Sequence, residues 1–244
     1  MDITTYILPA SLPAPLRIAQ VADLHNIPYG TLLRALETKK PDLIAVTGDL
    51  VHHFDERERG IAFLQTAARR WPVFMSLGNH ETTCAPGERP LLEAEIRDTG
   101  AVLLDNDAMR FHHLNIGGVT SSYYLDEEGH IRIGEGPDTV FLQSFAAQPG
   151  EKLLLCHHPE YYPSYIHPLP IRLTLAGHAH GGQWRFRGRG VYAPGQGLFP
   201  PLTGGLYAHR LLISRGLGNP CGIPRFGNPP ELIIVELQPQ KAAL

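Results

Sequence analysis

Apolar residues in the first hundred positions fall into short runs separated by longer segments of mixed character. LRIAQVA (16–22), the stretch around DLIAV (42–47), the stretch around VFMSL (72–77) and AVLL (101–104) read as strands; the segments 29–39, 55–70 and 89–98 read as helices. This βα alternation predicts a largely parallel sheet with helices on its faces. From Met109 onward the rhythm changes to FHHLNIGGV, a helix near 138–147, then KLLLC, IRLTLA, QWRFR, LLISRG and ELIIVEL, which reads as a second sheet. No internal repeat or low-complexity segment interrupts the chain. Its 244 residues suit one domain, 1–244, with a sizeable core.

Polar residues cluster where the apolar runs stop. Asp23 and His25 follow the first run, Asp49 the second, Asn79 and His80 the third, His157 follows KLLLC, and His178 and His180 follow IRLTLA. Ligands of open α/β sheets bind outside the carboxyl ends of strands, so five such ends point to one shared site. Neutral imidazole, carboxylate and amide oxygen in this mixture suit divalent cations that activate water. Glycines at 48, 78 and 177 fit sharp strand-to-loop turns and close backbone approach.

In order, Asp23-Leu24-His25, Gly48-Asp49, Gly78-Asn79-His80-Glu81, His157-His158 and Gly177-His178-Ala179-His180 form a five-part pattern that resembles the calcineurin-like metallophosphoesterase superfamily. The resemblance implies an α/β fold, a four-layer α-β-β-α sandwich of two mixed sheets. It also implies two divalent ions (Mn, Fe or Zn). Asp23, His25 and His180 would hold one, Asn79, His157 and His178 the other, and Asp49 would bridge them. His80 would stay off the metals and protonate the leaving group, while a metal-bridging hydroxide attacks in line, with metals roughly 3.5–4 Å apart. Two divalent cations outweigh the carboxylates of Asp23 and Asp49, so such a site favours an anionic phosphoryl group. Glu81 is expected to orient a ligand or its loop.

Phosphoprotein phosphatases of this superfamily continue the G-D block as V-D-R-G and carry an Arg before G-N-H-E, both gripping phosphate. Here the stretches are Gly48-Asp49-Leu50-Val51-His52-His53 and Leu77-Gly78-Asn79-His80-Glu81. That substrate class is disfavoured. GHAHGGQ (177–183), WRFRGRG, the Gly/Pro-rich loop from Val191 to Leu206, SRGLG (214–218) and PPELIIVEL (229–237) are similar to a bacterial phosphodiesterase branch. That branch includes cell-wall-associated phosphoesterases and UDP-2,3-diacylglucosamine pyrophosphatases. The expected activity is a phosphodiesterase acting on a small-molecule or lipid-linked phosphodiester. The rivals are an inactive scaffold of the same fold and a dinuclear hydrolase of non-phosphate esters. Arg185, Arg215 and Arg225 are candidate phosphate contacts. Trp184 and Phe186 alternate with Arg185 and Arg187, a pattern read first as an ordinary half-buried strand.

Remaining features narrow the picture modestly. A net charge of −3 with 18% charged residues offers no polybasic surface, so no stable nucleic-acid partner is expected. Cys84, Cys156 and Cys221 lack C-x-x-C spacing and read as reduced thiols, Cys156 as packed. The N-terminal segment has no basic n-region and is broken by Pro9, Pro13 and Pro15. The expectation is therefore a cytoplasmic protein without a membrane anchor. His52, His53, His112 and His113 match no motif position, and His158 reads as a turn residue before Pro159.

Overall fold

Consecutive residues of the central strands are buried on both faces, so their apolar character is nearly continuous rather than alternating, as strands covered on both sides require. The structure, a computed structural model, describes residues 1–220 and 222–240; the Cys221 thiol expected above lies outside the described residues. One sheet contains β1 (Asp2–Ala10), β2 (Leu16–Val21), β3 (Leu43–Thr47), β4 (Val73–Ser76) and β5 (Val102–Leu103). The second begins with the hairpin β6 (Asp107–Phe111) and β7 (Leu114–Val119). A small hairpin follows, β8 (Tyr123–Leu125) with β9 (Ile131–Ile133), then β10 (Glu151–Cys156) and β11 (Leu173–Ala176). Two further small hairpins are β12 (Arg185–Phe186) with β13 (Arg189–Gly190), and β14 (Tyr192–Ala193) with β15 (Gly197–Leu198). The chain closes through β16 (Gly205–Tyr207), β17 (Leu211–Ile213) and β18 (Glu231–Pro239).

The sheet orders are β1-β18-β2-β3-β4-β5 and β16-β17-β11-β10-β7-β6. Both are mixed: β2 through β5 run parallel, as do β7, β10, β11 and β17, while β18 against β2, β6 against β7 and β16 against β17 are antiparallel. Helices α1 (Gly30–Lys39), α2 (Glu58–Ala68) and α4 (Glu88–Asp98) join the parallel strands of the first sheet. The short α3 (Asn79–Thr82) begins on a motif residue, and α5 (Thr139–Ala147) precedes β10.

Three apolar layers follow from the period-two geometry of the strands. Ile18, Leu43, Ala45 and Phe74 face Leu153, Leu155, Leu173 and Leu175 between the sheets. Their neighbours Ala19, Ile44, Val46 and Met75 pack on Leu36, Phe63, Leu64 and Ile96 of the first helical layer. Leu154, Cys156, Ala176 and Ile213 pack with Phe141, Leu142, Phe145 and Ile166 on the far side. This is the four-layer α-β-β-α sandwich expected. One polar residue bridges the central layer: buried Gln20 donates through Nε2 to the Ala176 carbonyl at 2.8 Å, tying β2 to β11 directly beneath their functional ends.

Two elements differ from the sequence reading. The N-terminal segment, read only as a non-signal stretch, is strand β1, paired in parallel with β18 over nine residues. Its solvent-facing positions are Ile3, Thr5, Ile7 and Pro9, while Thr4 and Tyr6 are half-buried on the other face, and the edge position tolerates Pro9. The QWRFR segment is no half-buried strand: Arg185 and Phe186 pair with Gly190 and Arg189 of the adjacent strand, and Trp184 makes a single bridge to Phe226.

Candidate metal centre

The ends of β2, β3, β4, β10 and β11 meet at one edge of the sandwich and each delivers the residues that follow it. Asp23, His25, Asp49, His178 and His180 all have positive φ, between 45° and 64°. Left-handed backbone costs an L-residue about 1–2 kcal/mol, so five such residues at one place mark a site that the rest of the fold holds in a strained shape. Gly48 and Gly78 make the crossing possible. Gly48 has φ +80°, and a Cβ built on it would lie 2.5 Å from the Gly78 amide nitrogen.

Asp49 is the hub. Its Oδ1 accepts from the His80 backbone N–H at 2.9 Å. Its Oδ2 lies 3.1 Å from His157 Nε2, 3.7 Å from His25 Nε2 and 3.9 Å from His80 Nε2. The ligand atoms of Asp23, His25, Asp49 and His180 fall within 4.8 Å of one another, as do those of Asp49, His157 and His178. Asn79 joins the second group, with Oδ1 3.1 Å from His157 Nε2.

Hydrogen bonding around the ring nitrogens tests whether this set suits cations. His157 Nδ1 lies 2.8 Å from the Thr47 carbonyl, which can only accept, so Nδ1 carries a proton and the ring, once neutral, would turn its lone pair at Nε2 inward. That nitrogen meets Asn79 Oδ1, Asp49 Oδ2 and, at 3.2 Å, His178 Nδ1. Four acceptor atoms converging on a space with at most one or two protons repel each other unless a cation lies among them. In the other group Asp23 Oδ2 and both nitrogens of His25 are buried without a hydrogen-bond partner. Buried polar atoms are seldom left unpaired. Both groups therefore fit divalent metals by donor type and by their unmet valence.

Electrostatics agree. Burial holds His25, His178 and His180 below the ordinary value of 6.5, hence neutral and fit to ligate. Burial alone would raise Asp49, yet the His157, His80 and His25 rings hold it well below the usual carboxylate range. Burial likewise opposes a charge on His157, but the Asp49 carboxylate overcomes it and raises that ring to about 10. Without metal, His157 and Asp49 thus form an ion pair, and a cation binding there displaces the His157 proton.

Several residues hold this set in place. Buried Glu81 accepts from the backbone N–H groups of Asp49 at 2.9 Å, Gly78 at 2.8 Å and Val51 at 3.2 Å, locking the G-D loop to the G-N-H-E loop. His80 Nδ1 donates to the His52 carbonyl at 2.7 Å, which turns Nε2 toward Asp49 and the open side. His52, unassigned from sequence, has its ring 5.0 Å from that of His80 and 5.6 Å from that of His25. His158 is no exposed turn residue: it is fully buried, 2.7 Å from Ser121 Oγ and 3.1 Å from Glu160 Oε1, and stacked on Tyr123. Glu160, which no motif position marks, also lies 3.6 Å from His178 Nε2.

The three candidate arginines part company. Arg185 donates to the Gly181 carbonyl and Thr203 Oγ1, and Arg215 pairs with Asp2 and Glu231. Arg225 alone reaches the ligand set, its Nη2 3.2 Å from His180 Nδ1. Cys84 and Cys156 are buried free thiols, raised by burial, Cys84 to about 12. Among the described residues no helix is long and apolar enough to cross a membrane.

Comparison with known proteins shows the family. Residues 16–182 match the family model described as calcineurin-like phosphoesterase, a segment that contains all five ligand-bearing strand ends. The chain is 29% identical over 240 residues to Phosphodiesterase YaeI of Escherichia coli (strain K12), covering 92% of this chain and 83% of that protein. It is 28% identical over 240 residues to an uncharacterized metallophosphoesterase of Aquifex aeolicus (strain VF5), covering 91% and 85%. Among solved structures, the phosphopantetheinyl hydrolase PptH from Mycobacterium tuberculosis superposes with a TM-score of 0.50 at 14% identity, over 86% of this chain and 92% of that one, a likeness of fold. With the family match running over residues 16–182 of 244, more than half of the chain, and through every strand end of the candidate centre, this chain belongs to the calcineurin-like phosphoesterase family.

Proposed function

We propose that the protein is a phosphodiesterase that works with two divalent ions, held by Asp23, His25, Asp49 and His180 on one side and by Asp49, Asn79, His157 and His178 on the other. The observation that carries this reading is Asp49, whose carboxylate belongs to both ligand groups. The ions, Mn, Fe or Zn, would supply Lewis acidity toward phosphoryl oxygens and a nucleophile at neutral pH.

The chain's own residues do the rest. His80, oriented by the His52 carbonyl and turned to the open side, is placed to give a proton to the departing alkoxide, a contribution on the order of 10²–10⁴ in rate. Arg225 lies beside His180 and is held there by donating to the Arg215, Gly216 and Gly218 carbonyls, so all three candidate arginines are committed to contacts within the fold and Arg225 alone is near enough to the ligand set to act on a bound phosphate. A diester carries an organic group on each side of phosphorus, and a cavity of about 380 Å³ adjoins His80, lined among others by His53, Phe54, Leu125 and Ile131. Space for an organic leaving group beside the proton donor, the missing phosphate-gripping arginines and the likeness to a named phosphodiesterase all favour diester over monoester.

The test is hydrolysis of bis-p-nitrophenyl phosphate against p-nitrophenyl phosphate by metal-stripped protein reloaded with Mn²⁺. The diester should turn over faster, and His80→Ala should cut its rate at least 100-fold while two ions still bind. Asp49→Ala should abolish both turnover and paired ion binding. Preferred turnover of the monoester, or undiminished turnover by Asp49→Ala, would overturn the proposal.

A further inference from the structure

The chain segregates its charge. Between Glu160 and Glu231 it contains no Asp or Glu at all, although 24 acidic residues occur in the whole sequence; the same stretch holds seven arginines and no lysine. Most of those arginines are engaged within the fold. Arg172 and Arg210 clamp backbone carbonyls, while Arg185 and Arg215 make the contacts described above. Arg187 and Arg189 are different: both are exposed on the β12–β13 hairpin, in a stretch of sequence without Asp or Glu, and among the described residues neither is in an ion pair.

Around these two cations the surface is apolar. Phe186 is 69% exposed, Leu198 71%, Phe199 78% and Phe226 73%, with Trp184 and Tyr192 half exposed. They belong to one assembly. Trp184 bridges to Phe226, the Val191 N–H donates to the Trp184 carbonyl, and the Phe199 N–H donates to the Val191 carbonyl. Arg189 and Phe199 line one cavity together with Pro200 and Pro201.

The backbone is built to present these side chains outward. Arg187 and Gly188 form a two-residue turn with φ +51° and +80°, the positive-φ pair that a tight hairpin needs. Phe199 holds φ +52° while showing its ring to solvent. A strained aromatic left exposed is the reverse of what core packing selects, and such strain points to a role outside the fold. The root of the assembly touches the metal loop: a Cβ on Gly190 would lie 2.7 Å from the Cα of Gly182, two residues past His180.

We infer that the two hairpins, with Trp184, Phe186, Leu198 and Phe199 as apolar tips and Arg187 and Arg189 as cations, dock the protein onto an anionic lipid bilayer. The partner is fixed by chemistry. Aromatic and aliphatic tips flanked only by arginine suit the boundary between acyl chains and anionic headgroups, and hairpins that carry no carboxylate of their own add no repulsion there. With no membrane-crossing helix among the described residues, attachment of this kind is peripheral and reversible. Docking here would set the candidate metal centre close to the headgroups.

Vesicle co-sedimentation tests this without reference to catalysis. Full-length protein is mixed with sucrose-loaded vesicles of pure phosphatidylcholine or of phosphatidylcholine with 30% phosphatidylglycerol, a choice of composition on the order that makes basic residues count. Binding to the anionic vesicles should exceed binding to the neutral ones at least tenfold. Arg187→Gln with Arg189→Gln should lower it by roughly fivefold per arginine. Phe186→Ser with Phe199→Ser should lower it at least tenfold, with an unchanged melting temperature showing that these exposed changes leave the fold intact. Three results would each overturn the inference: no sedimentation with anionic vesicles at low salt, equal binding by wild type and the phenylalanine variant, or equal binding to both compositions.

Discussion

At the metal centre the residue scale is dominated by histidine tautomers. A ligating imidazole must present a lone pair, and what its other nitrogen touches decides which one. His157 is settled by the Thr47 carbonyl. His178 turns Nδ1 toward His157, leaving Nε2 as the proton-bearing atom, 3.6 Å from Glu160 Oε1. Glu160 also accepts from His158 Nδ1 at 3.1 Å, while His178 Nε2 at 3.6 Å makes no hydrogen bond to it, so one carboxylate holds the ligand's buried neighbour directly and acts on the ligand through its charge. Removing such an outer partner typically costs 10–100-fold in metal affinity. Glu160→Gln should therefore weaken Mn²⁺ binding by about tenfold at one of two sites and leave the other unchanged. Calorimetric titration of metal-stripped protein reads both, and unchanged affinity at both sites would remove Glu160 from this role. The sequence hid this residue because Glu160 stands three positions beyond His157, after Pro159 and far in sequence from His178, with nothing in the pattern to separate it from surface acid. His158 was hidden for a similar reason: its neighbour His157 took the motif position, and burial is not written in residue type.

At the element scale the strand ends were legible and the irregular elements were not. Runs such as Leu43–Thr47 and Glu151–Cys156 announce themselves because both faces are apolar, and the polar residues just past them could be placed at one edge on that basis alone. β1 escaped because its exposed alternation and Pro9 resemble a loop, and only pairing with β18 makes it a strand. The segment from Trp184 to Phe199 escaped because its shape rests on turns and glycines, with pairings only two residues long. The G-D and G-N-H-E loops pack backbone against backbone, and there a single methyl decides the outcome. Gly48→Ala puts a Cβ 2.5 Å from the Gly78 nitrogen at φ +80°, so neither space nor conformation allows it. It should cost at least about 3 kcal/mol, combining overpacking with left-handed strain, and abolish metal binding. Gly87→Ala, where a Cβ would meet nothing within 4 Å, should change stability by no more than about 0.5 kcal/mol. Chemical denaturation of the pair is the measurement. Equal stability of the two variants would mean that the loop crossing relaxes freely and holds no strain.

At the scale of the whole molecule, the metal centre makes the fold dependent on pH and on its ions. Burial keeps His25, His158, His178 and His180 below 6.5 in the folded state, whereas the unfolded chain protonates them near that value. For each, the unfolded state takes up a proton that the folded state refuses. Stability is therefore full above pH 6.5 and falls as pH drops below it, by up to about 1.4 kcal/mol per pH unit for each histidine that stays neutral. His157 works the other way. Raised to about 10, it contributes stability that is complete below 6.5 and is lost as pH climbs through 10, so it does not offset the acid loss. Metal-stripped protein should consequently melt at a falling temperature from pH 6.5 to 5, be most stable near pH 6.5–7, and lose stability again as pH climbs from 7 toward 10. Ions that bind only the folded state add to that stability: Mn²⁺ at about 100 times its dissociation constant adds about 2.7 kcal/mol, which for a chain of this size raises the melting temperature by roughly 5–11 °C. The gain should shrink toward pH 5, because protons compete for the same imidazoles. Scanning calorimetry at pH 5, 6, 7 and 8 with and without Mn²⁺ distinguishes the cases. A metal-free melting temperature flat from pH 6.5 to 5 would mean that these rings titrate in the folded state as freely as in the unfolded one, and that the edge of the sandwich is open to water.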